Sequence, residues 1–257
     1  MDILRKELNA LYAAQHLEYE HLDEAVLHDC QAKIASMTAV SNACYVITDA
    51  SADTCFIHAG WLGRLLGISN DARFCTEHRS SDEDIIYNRI HPEDLVEKRM
   101  LEYDFFRHID LLAEDEKLKY IATCRIRIRN RKDEYVYIHN STQILHPSPD
   151  GKIWLILCCY ALSPEQTPST DISPRIINHY TGEIHPLTLG ERRNQVLSDR
   201  EKEILRLIRE GRSSKQIADA LDISIHTVNR HRQNILEKLS VGNSHEAITA
   251  ASAMRLL

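Results

Sequence analysis

Several features common in chains of 257 residues are missing from this one. No stretch approaches the ~18 continuous apolar residues of a membrane-spanning helix, and the opening Met1-Asp2-Ile3-Leu4-Arg5-Lys6-Glu7 is no signal peptide. A chain that meets no membrane and stays in the cytoplasm is expected. The seven cysteines include no C-x-x-C pair. An odd number without that pair fits neither a disulfide framework nor a zinc ribbon, so buried reduced thiols are expected. Of the fourteen histidines, His16, His21 and His28 are spaced five and seven apart, not at the i, i+4 spacing that aims two rings at one metal ion. No nucleophile with a partner base, metal set or phosphate loop is present, which argues against an enzyme.

What is there resembles an ordinary globular protein, 43% hydrophobic and 27% charged, long enough for one large domain or two small ones. The net charge of −7 is unevenly spread. From Leu197 onward ten Lys/Arg stand against eight Asp/Glu, leaving 21 against 30 in the preceding residues. The acidic excess therefore lies outside the last 61 residues, and phosphate contact depends on where basic side chains point, not on the total.

That C-terminal stretch carries three helix starts. Ser198 with Glu201 and Ser213 with Gln216 have capping-box spacing, and Ser224 supplies a third cap hydroxyl. Leu221-Asp222-Ile223-Ser224 leaves only a short turn between the second and third helices, as in a helix-turn-helix. Leu197, Arg200, Glu201, Glu203, Leu205, Gly211, Lys215, Ile217, Ala218, Leu221, Ile223, Ser224, Thr227, Val228, His231, Asn234, Ile235, Lys238, Leu239, Val241 and Asn243 fit one pattern without gaps. In these residues the stretch resembles a LuxR/NarL-type (GerE-like) DNA-binding domain, over about a quarter of the chain.

On the third helix, Val228, His231, Ile235 and Leu239 share one face and are expected to pack inward. The opposite face carries His226, Asn229, Arg230 and Gln233, with donors and acceptors suited to base edges in a major groove of double-stranded DNA. Lys215, Thr227, Arg232 and Lys238 are assigned to phosphate oxygens, which set position without reading sequence. Arg192 and Arg193 suit a phosphate or solvent equally. Where LuxR-type domains often have Lys, this chain has Asn229, so the resemblance does not carry over a target sequence. After Asn243, itself followed by Glu246 at capping-box spacing, comes a helix of small residues. The resemblance implies a dimer contact there, assigned to Ala247, Ile248, Ala250, Ala251 and Met254; the alternative is a helix folded over its own domain.

Upstream, residues 1 to 34 contain neither Gly nor Pro and read as a helix, with Leu4, Leu8, Leu11, Leu22 and Val26 on an apolar stripe that Gln15 and Glu18 interrupt. Residues 43 to 48 and 54 to 58 read as a hairpin, and a helix starts at Ile90-His91-Pro92-Glu93-Asp94. Three strands follow, over 121 to 129, 133 to 145 and 152 to 162. In the first, Cys124, Ile126 and Ile128 alternate with Arg125, Arg127 and Arg129. The order of elements from 35 to 163, and the His-Pro-acid motif within it, resemble a PAS domain. Residues 164 to 196 are expected to be a linker containing a hairpin around Tyr180-Thr181-Gly182.

The fold expected is α+β: an N-terminal helix (1–34), a PAS-like five-stranded antiparallel sheet with helices (35–163), the linker, and an all-α four-helix helix-turn-helix domain (197–257). No cofactor follows. Asn70-Asp71-Ala72-Arg73-Phe74 is similar to the flavin-binding motif of photosensor PAS domains without its reactive cysteine, Cys75 being displaced, and His108 on the long helix compares with a haem ligand, although a lone helical histidine is usually solvated or core. The function expected is a dimeric, sequence-specific transcription regulator controlled through its PAS-like domain by a small molecule or a protein partner. Alternatives are an acyl-homoserine-lactone sensor, against which the scarcity of tryptophan (Trp61 and Trp154 only) counts, and an N-terminal domain that serves only interaction or dimerisation.

Overall fold

Alternating side chains build the larger part of the molecule. In the computed structural model, which describes residues 3–71, 75–80, 83–169, 171–187, 197–239, 241–253 and 256–257, the chain divides into two units, Leu8–Leu187 and Thr188–Leu257 with Met1–Glu7. The first is a mixed α+β unit around one antiparallel sheet and the second is helical.

The sheet strands are β1 (Cys44–Asp49), β2 (Thr54–His58), β3 (Cys75–His78), β4 (Tyr120–Arg129), β5 (Tyr135–Pro147), β6 (Ile153–Leu162), β7 (Arg175–Asn178) and β8 (Ile184–His185), in spatial order β3-β2-β1-β6-β5-β4-β7-β8. The five expected strands are contiguous at its centre. Among the described residues the sheet has eight strands, not five, because short segments extend both edges. At one edge Cys75–His78, within a stretch without visible periodicity, pairs with β2. At the other, part of the stretch read as linker pairs with β4, Ile121 opposite Ile177, and turns back through Gly182 at φ +73.

The expected single N-terminal helix is two, α1 (Ile3–Ala13) and α2 (Glu24–Val40). His16 takes a left-handed φ of 52° between them. Neighbouring Gln15, buried, donates to Asp110 at 3.0 Å and accepts from the Ile153 N–H at 3.0 Å, a tie to distant chain that overrides local helix propensity. Asp23 then caps α2 by accepting from Ala25.

Four further helices complete the unit: α3 (Gly60–Leu65), α4 (Asp84–Tyr87), α5 (Pro92–Asp110) and α6 (Glu114–Lys117). His91 caps α5, with Pro92 in the first turn where its missing N–H costs no hydrogen bond. Asp94 fastens that end to β4, accepting from the Arg127 N–H at 2.6 Å and pairing with its guanidinium at 2.6 Å. One face of the sheet packs on Leu8, Leu101, Phe105 and Ile109, and the other on Cys30 and Ile34 of α2. The cysteines are free thiols, five of them buried, with Cys159 half-buried and Cys75 exposed, contrary to the burial expected for all seven.

Among the described residues, the helical unit contains α7 (Asp199–Arg209), α8 (Ser214–Leu221), α9 (Ile225–Leu239) and α10 (Ser244–Ala253). Its core gathers Leu197, Ile204, Leu205, Ile217, Val228, Ile235, Leu239, Ala247 and Ala251.

Candidate nucleic-acid interface

Local hydrogen bonds position the helices of the second unit. Ser198 accepts from the Glu201 N–H at 3.3 Å while the Glu201 carboxylate accepts from the Ser198 N–H at 2.7 Å. Ser213 and Gln216 repeat the box at 3.3 and 2.8 Å. α7 ends in a Schellman motif, the Arg212 N–H donating to Leu207 and the Gly211 N–H to Ile208, with Gly211 at φ +80. Asp222, left-handed at φ 51, ends α8, and Ser224 accepts from the Thr227 N–H at 3.0 Å to start α9. Asn243 accepts from the Glu246 N–H at 3.0 Å at the start of α10.

These turns leave one polar face of α9 outward. His226, Asn229, Arg230 and Gln233 are all exposed, at i, i+3, i+4 and i+7, on one side of the helix. Gln233 donates to Glu237 at 3.0 Å. Val228, Ile235 and Leu239 are buried on the other side. His231 is half-buried among them, and its buried Nδ1 has no hydrogen-bond partner among the described residues.

The four residues assigned to phosphates fall into two pairs. Lys215 is exposed in the first turn of α8, and Thr227 is half-buried at the start of α9. Arg232 instead bridges helices, donating to Ser244 at 3.0 Å and Ser214 at 3.4 Å. Lys238 donates to the buried Glu201 carboxylate at 2.7 Å. Burial resists ionisation of Glu201. The hydrogen bonds from Lys238 and Ser198 outweigh it and hold the carboxyl below its ordinary value. Arg200 adds another internal tie, donating to the Leu221 carbonyl at 2.9 Å. These ties join residues 12 to 37 positions apart, beyond the reach of local pattern.

Of the residues assigned to a dimer contact, Ala247 and Ala251 are fully buried within their own unit and offer a partner no surface. Ile248 and Ala250 are half-buried. Met254, like Arg192, Arg193 and residues 72 to 74, lies outside the described residues.

In the first unit the notable polar site is interior. Lys98, fully buried on α5, pairs with Glu102 and donates to the Tyr87 hydroxyl at 2.7 Å, which donates to Glu102 at 2.8 Å. Tyr160 of β6 donates to the Glu83 carboxyl. Burial raises Glu83 above the ordinary carboxyl range, opposed in part by Lys98. Burial is the largest single influence and works against the Lys98 charge, but Glu102 together with Glu83 and other neighbouring groups outweighs it, and the amine stays protonated. His108 stacks on His185 at 3.7 Å and meets the edge of Tyr120 at 4.7 Å, a packed ring in an aromatic cluster. The arginine row is internally engaged: Arg125 with Glu165, Arg127 with Asp94 and Glu93, Arg129 with Asp133.

Residues 195–251 match the family described as bacterial regulatory proteins, luxR family. Transcriptional regulatory protein DesR of Bacillus subtilis (strain 168) is 40% identical over 77 residues, 30% of this chain and 34% of that protein. Response regulator protein VraR of Staphylococcus epidermidis is 36% identical over 102 residues, 35% of this chain and 49% of that protein. The chain thus spans about a third to a half of the length of these curated relatives. A solved structure of the Vibrio cholerae VqmA dimer is 15% identical over 88% of both chains with a TM-score of 0.33, too low for the likeness to say anything of ligands. The C-terminal end of this chain is a GerE/LuxR-family helix-turn-helix domain.

Proposed function

We propose that the protein is a transcription regulator that binds a specific double-stranded DNA site as a homodimer and acts inside the cell, by binding and not by catalysis. The observation that carries this reading is the exposed row His226, Asn229, Arg230 and Gln233 on α9, within the family match. In the proposal α9 lies in the major groove with that row at the base edges. Lys215 and Thr227 contact phosphate, and Arg232 and Lys238 chiefly hold the helices that present the row. The sheet unit is PAS-like and senses a small molecule or a protein partner, with DNA affinity coupled to that input. The interior Lys98–Glu102 pair favours the protein partner, because a ligand entering there has to separate a buried ion pair, a cost of about 3–5 kcal/mol.

Fluorescence anisotropy on DNA fragments across a salt series tests the DNA half. Affinity is expected to fall steeply with salt, since phosphate contacts release counterions. Lys215→Gln is expected to weaken binding to all sequences and reduce the salt slope by about 1, while Arg230→Gln lowers discrimination between sequences. Salt-insensitive binding, or equal losses from both substitutions on every sequence, contradicts the assignment.

A further inference from the structure

The solvent side of α2 is unusual for an exposed helix. Ala25, Ala32, Ala35 and Ala39 are exposed, and with them Met37 at 44% and Val40 at 90%. Beside the helix runs a groove of about 570 Å³, flanked by Val26, Asp29, Lys33 and Met37 and floored by Leu145 and Leu157 of β5 and β6. A polar helix face needs no cover, but one presenting valine and methionine beside an apolar groove does.

Charge identifies the occupant. Asp29 and Lys33 pair within the helix on its groove side and are exposed. About a two-fold axis at Gln31, an antiparallel copy of α2 sets Asp29 opposite the partner's Lys33, and Lys33 opposite the partner's Asp29. The same axis sets Ala25 opposite the partner's Met37, Val26 opposite the partner's Ser36 and Leu22 opposite the partner's Val40. At 3.6 residues per turn the helical members of this set fall within about 120° of arc, so one stripe of the helix presents them together. Such a surface is self-complementary in both charge and size, as an isologous interface requires. Ala25 in this stripe allows close approach of the two helices, with Ala32 and Ala39 just beyond its edge.

We propose that α2 is a homodimerisation surface, packing antiparallel on α2 of a second copy of this chain beside the groove. This rests on the dimer in the proposed function and names the surface that forms it without DNA, so its test involves no DNA.

The test is sedimentation equilibrium of the full chain. Wild type is expected to show a concentration-dependent dimer. Asp29→Lys and Lys33→Glu, each placing two like-charge pairs across the axis, are expected to raise the dissociation constant roughly tenfold. An equimolar mixture of the two variants restores opposite charges at both crossings and is expected to regain dimer. An effect confined to the helix cannot produce that rescue. Met37→Glu, at an exposed position, is expected to weaken the dimer in every pairing, with unchanged circular dichroism. A chain that stays monomeric throughout the micromolar range overturns the proposal. So does a dimer indifferent to these substitutions, or one weakened by both charge variants but not rescued by mixing them; the last result places the affected contact elsewhere, including within one chain.

Discussion

Replacing Lys238 distinguishes a structural tie from a DNA contact. Its ammonium sits 2.7 Å from a Glu201 carboxylate whose side chain is 3% exposed. Lys238→Met keeps the apolar stem and removes the charge. Glu201 would retain the Ser198 N–H at 2.7 Å but lose its ionic partner. A hydrogen bond between charged groups contributes about 1.5–3 kcal/mol. With the Lys238 side chain 43% exposed, screening lowers the expected loss to about 1 kcal/mol. For a domain of this size, that corresponds to a fall in melting temperature of roughly 4–8 °C. Hydrogen exchange on the intact chain, followed at the amides of α7, reads the loss where it occurs. Acid supplies a second check. Because Glu201 titrates below its ordinary value of 4.5 in the folded state, its ionised form stabilises the fold above that pH. That contribution disappears as pH falls through the lowered value. The wild-type advantage is therefore expected in full at pH 7 and gone once Glu201 is protonated. Unchanged exchange in Lys238→Met combined with weaker DNA binding and a smaller salt slope would refute the structural assignment and make Lys238 a phosphate contact.

Within the sheet unit, Lys98→Met strands Glu102 in the interior and is expected to destabilise by about 3–5 kcal/mol in urea unfolding. Adding Glu102→Leu should recover much of that loss, and a double variant no more stable than the single one would contradict the pairing. Burial, and secondarily the charge of His185, lower the pKa of His108 below its ordinary 6.5, with Tyr120 the other ring against it. The unfolded chain therefore binds the proton first as pH falls. The His108 contribution to the stability of the unit should be full above about 6.5 and decline below it. His108→Phe, which keeps a ring in the stack, should reduce the slope of the denaturation midpoint between pH 7.5 and 5; an unchanged slope refutes the contribution. His58 and His91, also lowered by burial, act in the same direction, and Glu83, raised by burial, acts in the opposite one.

What could be read in advance followed the range of the interactions. Caps act over three residues, so Ser198 with Glu201, Ser213 with Gln216 and Asn243 with Glu246 were visible as spacing. Alternation identified β4, whose Cys124, Ile126 and Ile128 are buried, because a strand with one face on a core repeats every two residues. The break at His16 was not legible, since neither Gly nor Pro marks it and the bond that helps hold Gln15 there reaches Ile153. β3, four residues long, is too short to show a period, and pairing with β2 makes it a strand, whereas the two-residue β8 was signalled only by the turn at Tyr180-Thr181-Gly182. The partners of charged side chains were hidden for the same reason. Arg232 and Lys238 sit on α9 as a phosphate-binding pair would, but their partners lie on other elements.

The same distinction bears on where two copies would meet. A run of small residues is ambiguous in sequence, because alanine serves equally for packing against the chain's own helices and against a partner's. Ala247 and Ala251 have been used in the first way, each with no exposed surface. That leaves α10 the half-buried Ile248 and Ala250 among exposed His245, Glu246, Thr249 and Ser252. On α2 the balance is reversed, because Cys30, Ile34 and Thr38 meet the sheet while the alanines, Met37 and Val40 stay outside. Apolar surface left in water favours association in proportion to its area. On that ground α2 has the stronger drive to pair without DNA, whereas a contact through α10 would depend on DNA bringing two helical units together.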